Sequence, residues 1–308
     1  MVPEATADIW TVMAALDWTR GYLDRRGDEH SRRSAEWLLE AATGLSRLEL
    51  YTCFDRPLSP DERATLRAGV ARRAAGVPLQ YITNTAYFRH LELIVTPDVL
   101  IPRPETEVLV DLALEELTRI GAGAAGADAG DASQDGPRVL DLCTGSGCVA
   151  LALIDEAGVT VTATDLSAEA LGVARDNAAA LGCADRLDLR QGDLFKAVPA
   201  GERFDLIVSN PPYVPDAERA TLPREVADFE PSLALFAGAD GLAVYRRIIS
   251  AAARHLTPNG VVIMELHADN ATTAAQEAVK LKAYEAIDVL PDLTGRERFV
   301  RLRGKASD

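Results

Sequence analysis

Little in this chain suits it to ligate a metal or to build a disulfide framework. Four cysteines and four histidines are present in 308 residues. Cys53, Cys143, Cys148 and Cys183 show no CxxC spacing and His30, His90, His255 and His267 are scattered, so neither a zinc site nor a disulfide scaffold is suggested. The cysteines read as small core fillers. Long apolar runs are missing too: none is long enough to cross a bilayer, and the start Met1-Val2-Pro3-Glu4-Ala5 lacks a basic flank before an apolar core. A cytoplasmic protein with no membrane partner is expected. Basic residues are the third shortage, with 32 Lys and Arg against 47 Asp and Glu and a net charge of −15. Such a surface repels a phosphate backbone, which argues against free nucleic acid as a partner.

What is present has the length and apolar content for two domains. Apolar residues at helical spacing predict a helix over 8–26, with Gly27 as its stop, and a second from Ser31 to Gly44. Ser46-Arg47-Leu48-Glu49 reads as a capping box, and Ser59, Pro60 and Glu62 open a fourth helix that runs to Gly76. Residues 1–80 therefore form a small all-helical domain, suited to partner recognition or to packing. Alternating and β-branched residues over 81–96 predict a β-hairpin linker. Leu100-Ile101-Pro102-Arg103-Pro104-Glu105-Thr106-Glu107 reads, on physical grounds, as a helix entrance with its acids at the positive end of the dipole. The glycine- and alanine-rich stretch 121–136 has no periodicity and is expected to be a flexible insertion.

Strand and helix signals then alternate to the end of the chain, as a doubly wound α/β sheet requires. Arg138–Leu142 reads as a strand, Cys143-Thr144-Gly145-Ser146-Gly147 as a tight turn and Cys148 onward as an apolar helix; the next strand, from Val159, ends in Asp165. Glycines admit a ligand close to a helix N-terminus, and an acid at the following strand tip accepts hydrogen bonds from ribose hydroxyls. The third glycine of the dinucleotide fingerprint is missing, which disfavours NAD. After the next strand, Asp193, Leu194 and Phe195 offer a carboxylate and apolar cover for an adenine. Strand 204–209 delivers Asn210-Pro211-Pro212-Tyr213, where two prolines hold the chain stiff at the sheet edge. Helix 240–256, strand 260–266, helix 270–282 and a closing antiparallel pair complete the pattern.

The Asp141-x-x-Thr144-Gly145-Ser146-Gly147 turn resembles motif I of class I S-adenosyl-L-methionine-dependent methyltransferases. With the Ile101–Glu107 signature and Asn210–Tyr213, the chain resembles the protein-(glutamine-N5) methyltransferases that act on peptide chain release factors. The resemblance implies a Rossmann-like methyltransferase domain over 97–308 and a substrate-recognition role for 1–80. It implies that Asp141, Cys143, Thr144, Gly145, Ser146, Gly147, Asp165, Asp193, Leu194, Phe195 and Asn210 face S-adenosyl-L-methionine. Asn210, Pro211, Pro212 and Tyr213 would hold the glutamine of a release-factor GGQ-type loop, with Asn210, Pro211 and Tyr213 as the catalytic group. A monomer is expected. The Asn-Pro-Pro-Tyr element is shared with adenine-N6 nucleic-acid methyltransferases, and enzymes methylating a ribosomal-protein glutamine share the layout; both stand as alternatives. Three positions depart from the family pattern: Asn84, Cys143 and His267 stand where glycine is usual. A cysteine side chain is small and is accommodated at 143 unless the backbone there needs a positive φ; His267 bears on how far the resemblance extends past the fifth strand, and Asn84 on a turn between the domains.

Overall fold

The computed structural model describes residues 10–126 and 136–306. The chain divides into two units, Met1–Thr85 with Pro223–Phe229, and Ala86–Leu222 with Glu230–Asp308. Five of the first unit's helices come from the N-terminal segment, and caps mark several of their ends. Thr11 Oγ1 accepts from the Ala14 N–H and starts α1 (Val12–Asp24), so the expected run from 8 begins later, and its first residues lie outside the described ones. Helix α2 (Ser31–Thr43) ends on Gly44 in the left-handed conformation. Full capping boxes open α3 (Arg47–Thr52) and α4 (Pro60–Ala74). Val12, Leu16, Leu38, Leu39, Leu66 and Val70 meet in one apolar core. Asp28 and Arg73 form a largely buried ion pair at 2.8 Å, and Arg73 Nη1 also donates to Glu225 Oε2 at 2.9 Å.

The expected hairpin over 81–96 is shorter than its sequence pattern. Leu79–Thr83 is a helical turn, α5, because Pro78 fixes its entry and Asn84 closes it with φ +55°. The two-stranded sheet is only β1 (Thr85–Phe88) with β2 (Leu91–Ile94). Pro104 begins α6 (Pro104–Gly126), so the first six residues of the expected insertion 121–136 are helical; residues 127–135 lie outside the described residues.

The second unit is built on a seven-stranded sheet. In chain order come β3 (Arg138–Leu142), α7 (Cys148–Ala157), β4 (Thr160–Asp165), α8 (Ala168–Ala180), β5 (Leu187–Gln191) and β6 (Phe204–Ser209). After α9 (Arg224–Ala227), which belongs to the first unit, come the short α10 (Ser232–Leu235), α11 (Ala243–Ala252), β7 (Leu256–Glu265), α12 (Ala271–Leu281), β8 (Tyr284–Pro291) and β9 (Glu297–Gly304). The spatial order is β5-β4-β3-β6-β7-β9-β8, with β3 to β7 parallel and the last two strands antiparallel. Strands buried on both faces carry near-continuous apolar runs, as in Leu206-Ile207-Val208 and Val261-Val262-Ile263-Met264. One core cluster includes α6 and α7 residues and another includes α11 and α12 residues.

The chain that leaves β6 is tied down at once. Val214 N–H donates to Leu235 O, Ala237 N–H donates to Val214 O, and Asp216 N–H donates to Gly238 O, at 2.8, 3.0 and 2.9 Å. Gly241, with φ +75°, packs so closely that a Cβ there would lie 2.3 Å from Tyr213 O. Gly241→Ala should therefore destabilise the protein by about 2–3 kcal/mol, since both the positive φ and the backbone contact resist a side chain. Gly172→Ala, in α8 with open space around the new methyl, should raise stability by up to about 1 kcal/mol. Scanning calorimetry of the two variants checks the contrast, and equal melting shifts would contradict it.

Candidate active site

Strand order reverses between β3 and β6, and in open α/β sheets the crevice at such a reversal takes ligands beyond the carboxyl ends of the strands. Leu142 pairs with Ser209, so the turn after β3 and the tetrapeptide after β6 leave the sheet at the same level. A cleft of about 350 Å³ opens there. Local bonds lace its rim. Ser209 Oγ donates to Leu142 O at 2.7 Å, and the Thr144 N–H donates to Thr164 O at 3.0 Å. Asn177 on α8 donates to Ser146 O at 2.9 Å and to Ile94 O at 3.0 Å, and accepts from the Ile94 N–H.

In the turn, Gly145 has φ +56° and a Cβ there would meet nothing within 4 Å, so its backbone is open to a ligand. Gly147 caps α7 with φ +82°, where a Cβ would crowd Ala174 and Leu151 at 3.2 Å. Asp141 is buried at the end of β3 and accepts the Thr144 hydroxyl at 2.6 Å. Burial, aided by the nearby Asp165 charge, pushes its carboxyl up to about 7 against the pull of the Thr144 hydrogen bond. Asp165 is also raised by burial; its Oδ2 accepts from the Gly145 N–H and its Oδ1 from the Ser167 N–H, both at 2.9 Å. Each carboxylate oxygen keeps lone-pair capacity for a further donor.

Asp141, Cys143, Thr144, Gly145, Ser146, Asp165, Asp193, Leu194, Asn210 and Pro212 line the cleft. Gly147, Phe195, Pro211 and Tyr213 do not. Phe195 turns away and stacks on His255, with centroids 4.7 Å apart, so its expected place beside an adenine is not the one it occupies. Asp193 is already held by Arg247 at 2.6 Å and Lys196 at 3.0 Å, and those hydrogen bonds lower its carboxyl. Pro211 is buried, and the Tyr213 hydroxyl points inward, donating to Glu265 Oε1 at 3.0 Å. Asn210 Nδ2 donates to Thr106 Oγ1 at 2.9 Å.

That last bond shows what the helix-entrance reading of Ile101–Glu107 leaves out. Pro104 does open α6, with Glu105 and Glu107 in its first turn, yet Pro102, Arg103 and Thr106 also line the cleft. Arg103 Nη2 donates to the buried Glu230 at 2.6 Å. Leu233, Phe236 and Arg247 on later elements complete the wall. None of these carries a local sequence signal of its own; only the proline-arginine-proline-glutamate run hinted at a function.

Two family models match the chain: "PrmC N-terminal domain" over residues 14–83 and "Methyltransferase domain" over residues 139–229. The release factor glutamine methyltransferase of Geobacter sulfurreducens is 45% identical over 86% of this chain and 87% of its own length. That of Deinococcus radiodurans is 43% identical over 91% of this chain and 94% of its own. The chain belongs to the release factor glutamine methyltransferase family. Among solved structures, the hMettl16 catalytic domain in complex with MAT2A 3'UTR hairpin 1 superposes with a TM-score of 0.53 at 14% identity, over 82% of this chain and 84% of that one, a likeness of fold alone.

Within the release factor glutamine methyltransferase fold, the three departures from glycine differ in cost. His267 has φ −62° and needs no glycine. Asn84 sits at φ +55°, a region that asparagine tolerates. Cys143 sits at φ +61°, where a non-glycine residue costs about 1–2 kcal/mol, so the one departure within the Asp141–Gly147 turn is the strained one. Asp141 adds a pH dependence. Its folded pKa lies above its unfolded value of about 4, so the stability linked to it is complete below that pH and is lost as pH rises through about 7. Asp141→Asn should flatten the decline of ligand-free stability between pH 4 and 7 by about 1–3 kcal/mol. Thermal unfolding across that range measures it, and parallel profiles would show that the carboxyl is as well solvated folded as unfolded.

Proposed function

We propose that this release factor glutamine methyltransferase transfers a methyl group from S-adenosyl-L-methionine to the side-chain amide nitrogen of a glutamine in a release factor, with the cleft at the β3/β6 reversal as its active site. The observation that carries the reading is that Asn210, Asp141, the turn residues Cys143 to Ser146 and Asp165 line one cleft. The residues suit the cofactor: an open backbone at Gly145, an acid with spare acceptor capacity at Asp165 and apolar cover from Leu194 and Val244. Bound there, S-adenosyl-L-methionine would supply an electrophilic methyl group: its bond to sulfur breaks as the bond to nitrogen forms, and the nitrogen gives up one N–H proton to solvent. Asp165 would accept from the ribose hydroxyls, and the turn would hold the amino-acid end.

An amide nitrogen is a poor nucleophile because its lone pair is delocalised into the carbonyl, as amide planarity reflects. Orientation has to compensate. Asn210 Oδ1, on the cleft wall, accepts from the glutamine amide and holds its nitrogen toward the methyl group, with proximity as the main gain; Pro211, expected to supply a second acceptor, does not line the cleft and serves to stiffen the chain beside Asn210. Tyr213, directed to Glu265, supports this wall from behind. The helical unit recognises the protein substrate, and the enzyme acts as a cytoplasmic monomer, off the membrane and off free nucleic acid. The net charge of −15 favours a protein acceptor, and no described helix is long and apolar enough to cross a membrane.

Asn210→Ala should lower turnover by about 100-fold or more with little change in cofactor affinity. Asp165→Ala should weaken cofactor binding by about 10- to 1000-fold, through the loss of charge-assisted hydrogen bonds. Single-turnover kinetics and calorimetry separate the two, and an Asn210→Ala variant with wild-type turnover would sink the assignment. Offering labelled cofactor with a release factor, a ribosomal protein and DNA, then locating the methyl group by mass spectrometry, tests the acceptor. Label in DNA or in the ribosomal protein alone would replace this reading with one of the alternatives.

A further inference from the structure

Tyr213 does not line the cleft, because its hydroxyl turns inward to Glu265 at 3.0 Å. Another ring does. Among the described residues that line the cleft, Phe236 is the one aromatic. Its backbone is tied to the acceptor segment: Val214, which follows the tetrapeptide, makes a β-bridge with Phe236, closed by Val214 N–H to Leu235 O at 2.8 Å and Ala237 N–H to Val214 O at 3.0 Å. Its ring is covered by a cation. The Arg219 guanidinium lies over it with Cζ 3.8 Å from the centroid, and Arg219 Nη1 donates to Ser232 Oγ, at the start of α10, at 3.3 Å. Arg219 itself does not line the cleft, so the ring meets the cleft away from the guanidinium.

A ring in that state discriminates by charge. Cation–π attraction draws on the negative face of the ring, and the guanidinium already uses it. A second cation would meet a ring polarised against it, whereas a neutral planar group would not. The side-chain amide of glutamine is such a group: resonance keeps it flat, and its N–H bonds lie in the plane, free for an acceptor while one face covers an apolar ring. Asn210, on the same cleft, offers that acceptor. One hydrogen bond leaves the amide free to rotate about the bond axis, and a flat surface removes that freedom. The delocalised lone pair of the nitrogen stands perpendicular to the amide plane, so a plate on one face leaves the other open to the methyl group. We infer that Phe236 is the plate on which the acceptor amide lies, with Arg219 as a positioning residue that holds the ring and turns it against cations. The inference rests on the proposed methylation of a glutamine at Asn210.

Phe236→Leu removes the flat face and keeps apolar bulk, and Phe236→Tyr keeps the flat face. At saturating cofactor, kcat/KM for a release factor should fall about tenfold or more in Phe236→Leu and stay within about threefold of wild type in Phe236→Tyr. Affinity for S-adenosyl-L-homocysteine, measured by calorimetry, should be unchanged in both. A wild-type kcat/KM in Phe236→Leu overturns the inference. So does a loss of S-adenosyl-L-homocysteine affinity in Phe236→Leu with unaltered acceptor kinetics, which would put the ring over the cofactor instead. If Phe236→Leu does not fold, Arg219→Gln, at an exposed residue, takes its place. There kcat/KM should fall about threefold and return in Arg219→Lys, which restores a cation over the ring, and an unaltered value overturns the inference. A wild-type enzyme that binds S-adenosyl-L-homocysteine and leaves the release factor unmethylated overturns the proposed function and the inference with it; the outcomes above overturn the inference alone.

Discussion

Two strands far apart in sequence, β3 and β6, pair in parallel with Leu142 opposite Ser209, and the loops that leave them must emerge side by side. The Ser209 hydroxyl, bonded to Leu142 O, closes the gap between the strand ends where the ladder stops. From that level the glycine turn runs into α7 and the proline-stiffened tetrapeptide runs toward α9. The glycine turn and the tetrapeptide thus need no contact with each other to be in register. The sheet provides it. Asp165 joins them because β4 pairs with β3 on its other edge, and its carboxylate grips the Gly145 N–H across the gap.

Holding the walls in place carries local costs that the surrounding packing offsets. Cys143 occupies a left-handed backbone position, and Asp141 sits where burial resists its ionisation. Neither state would persist in an isolated turn. They persist because the apolar residues of β3 and α7 and the bonds from Asn177 and Thr144 determine the path of the chain from both sides. Strained or destabilised groups concentrated at one cleft in an otherwise regular α/β sheet are what a site kept for chemistry looks like.

Much of this was legible in the sequence, for stated reasons. Caps at Ser46 and Ser59, the apolar runs of the inner strands and the positions of Asp165 and Asn210 are local signals, and local signals survive folding. The glycine turn could be read because only glycine suits the open backbone at Gly145. Other features were not legible because they depend on partners distant in the chain. Tyr81 looks like a strand residue and lies in a helical turn, since Pro78 and Asn84 bracket it. Phe195 is an aromatic at a strand end, and its ring goes to His255, 60 residues on, rather than to the cleft. Thr106 reads as a helix first-turn residue, which it is; its bond to Asn210 spans 104 positions and no local pattern announces it.

An asparagine rather than an aspartate at 210 suits the charge of the cleft. An aspartate would offer two equivalent acceptors and need no orientation, but it would put another negative charge into a cleft already lined by Asp141, Asp165 and Asp193. Such a charge would be costly there and would raise neighbouring pKa values further, as Asp165 already does for Asp141. Asparagine avoids the charge and brings in its place an ambiguity between two faces of similar shape.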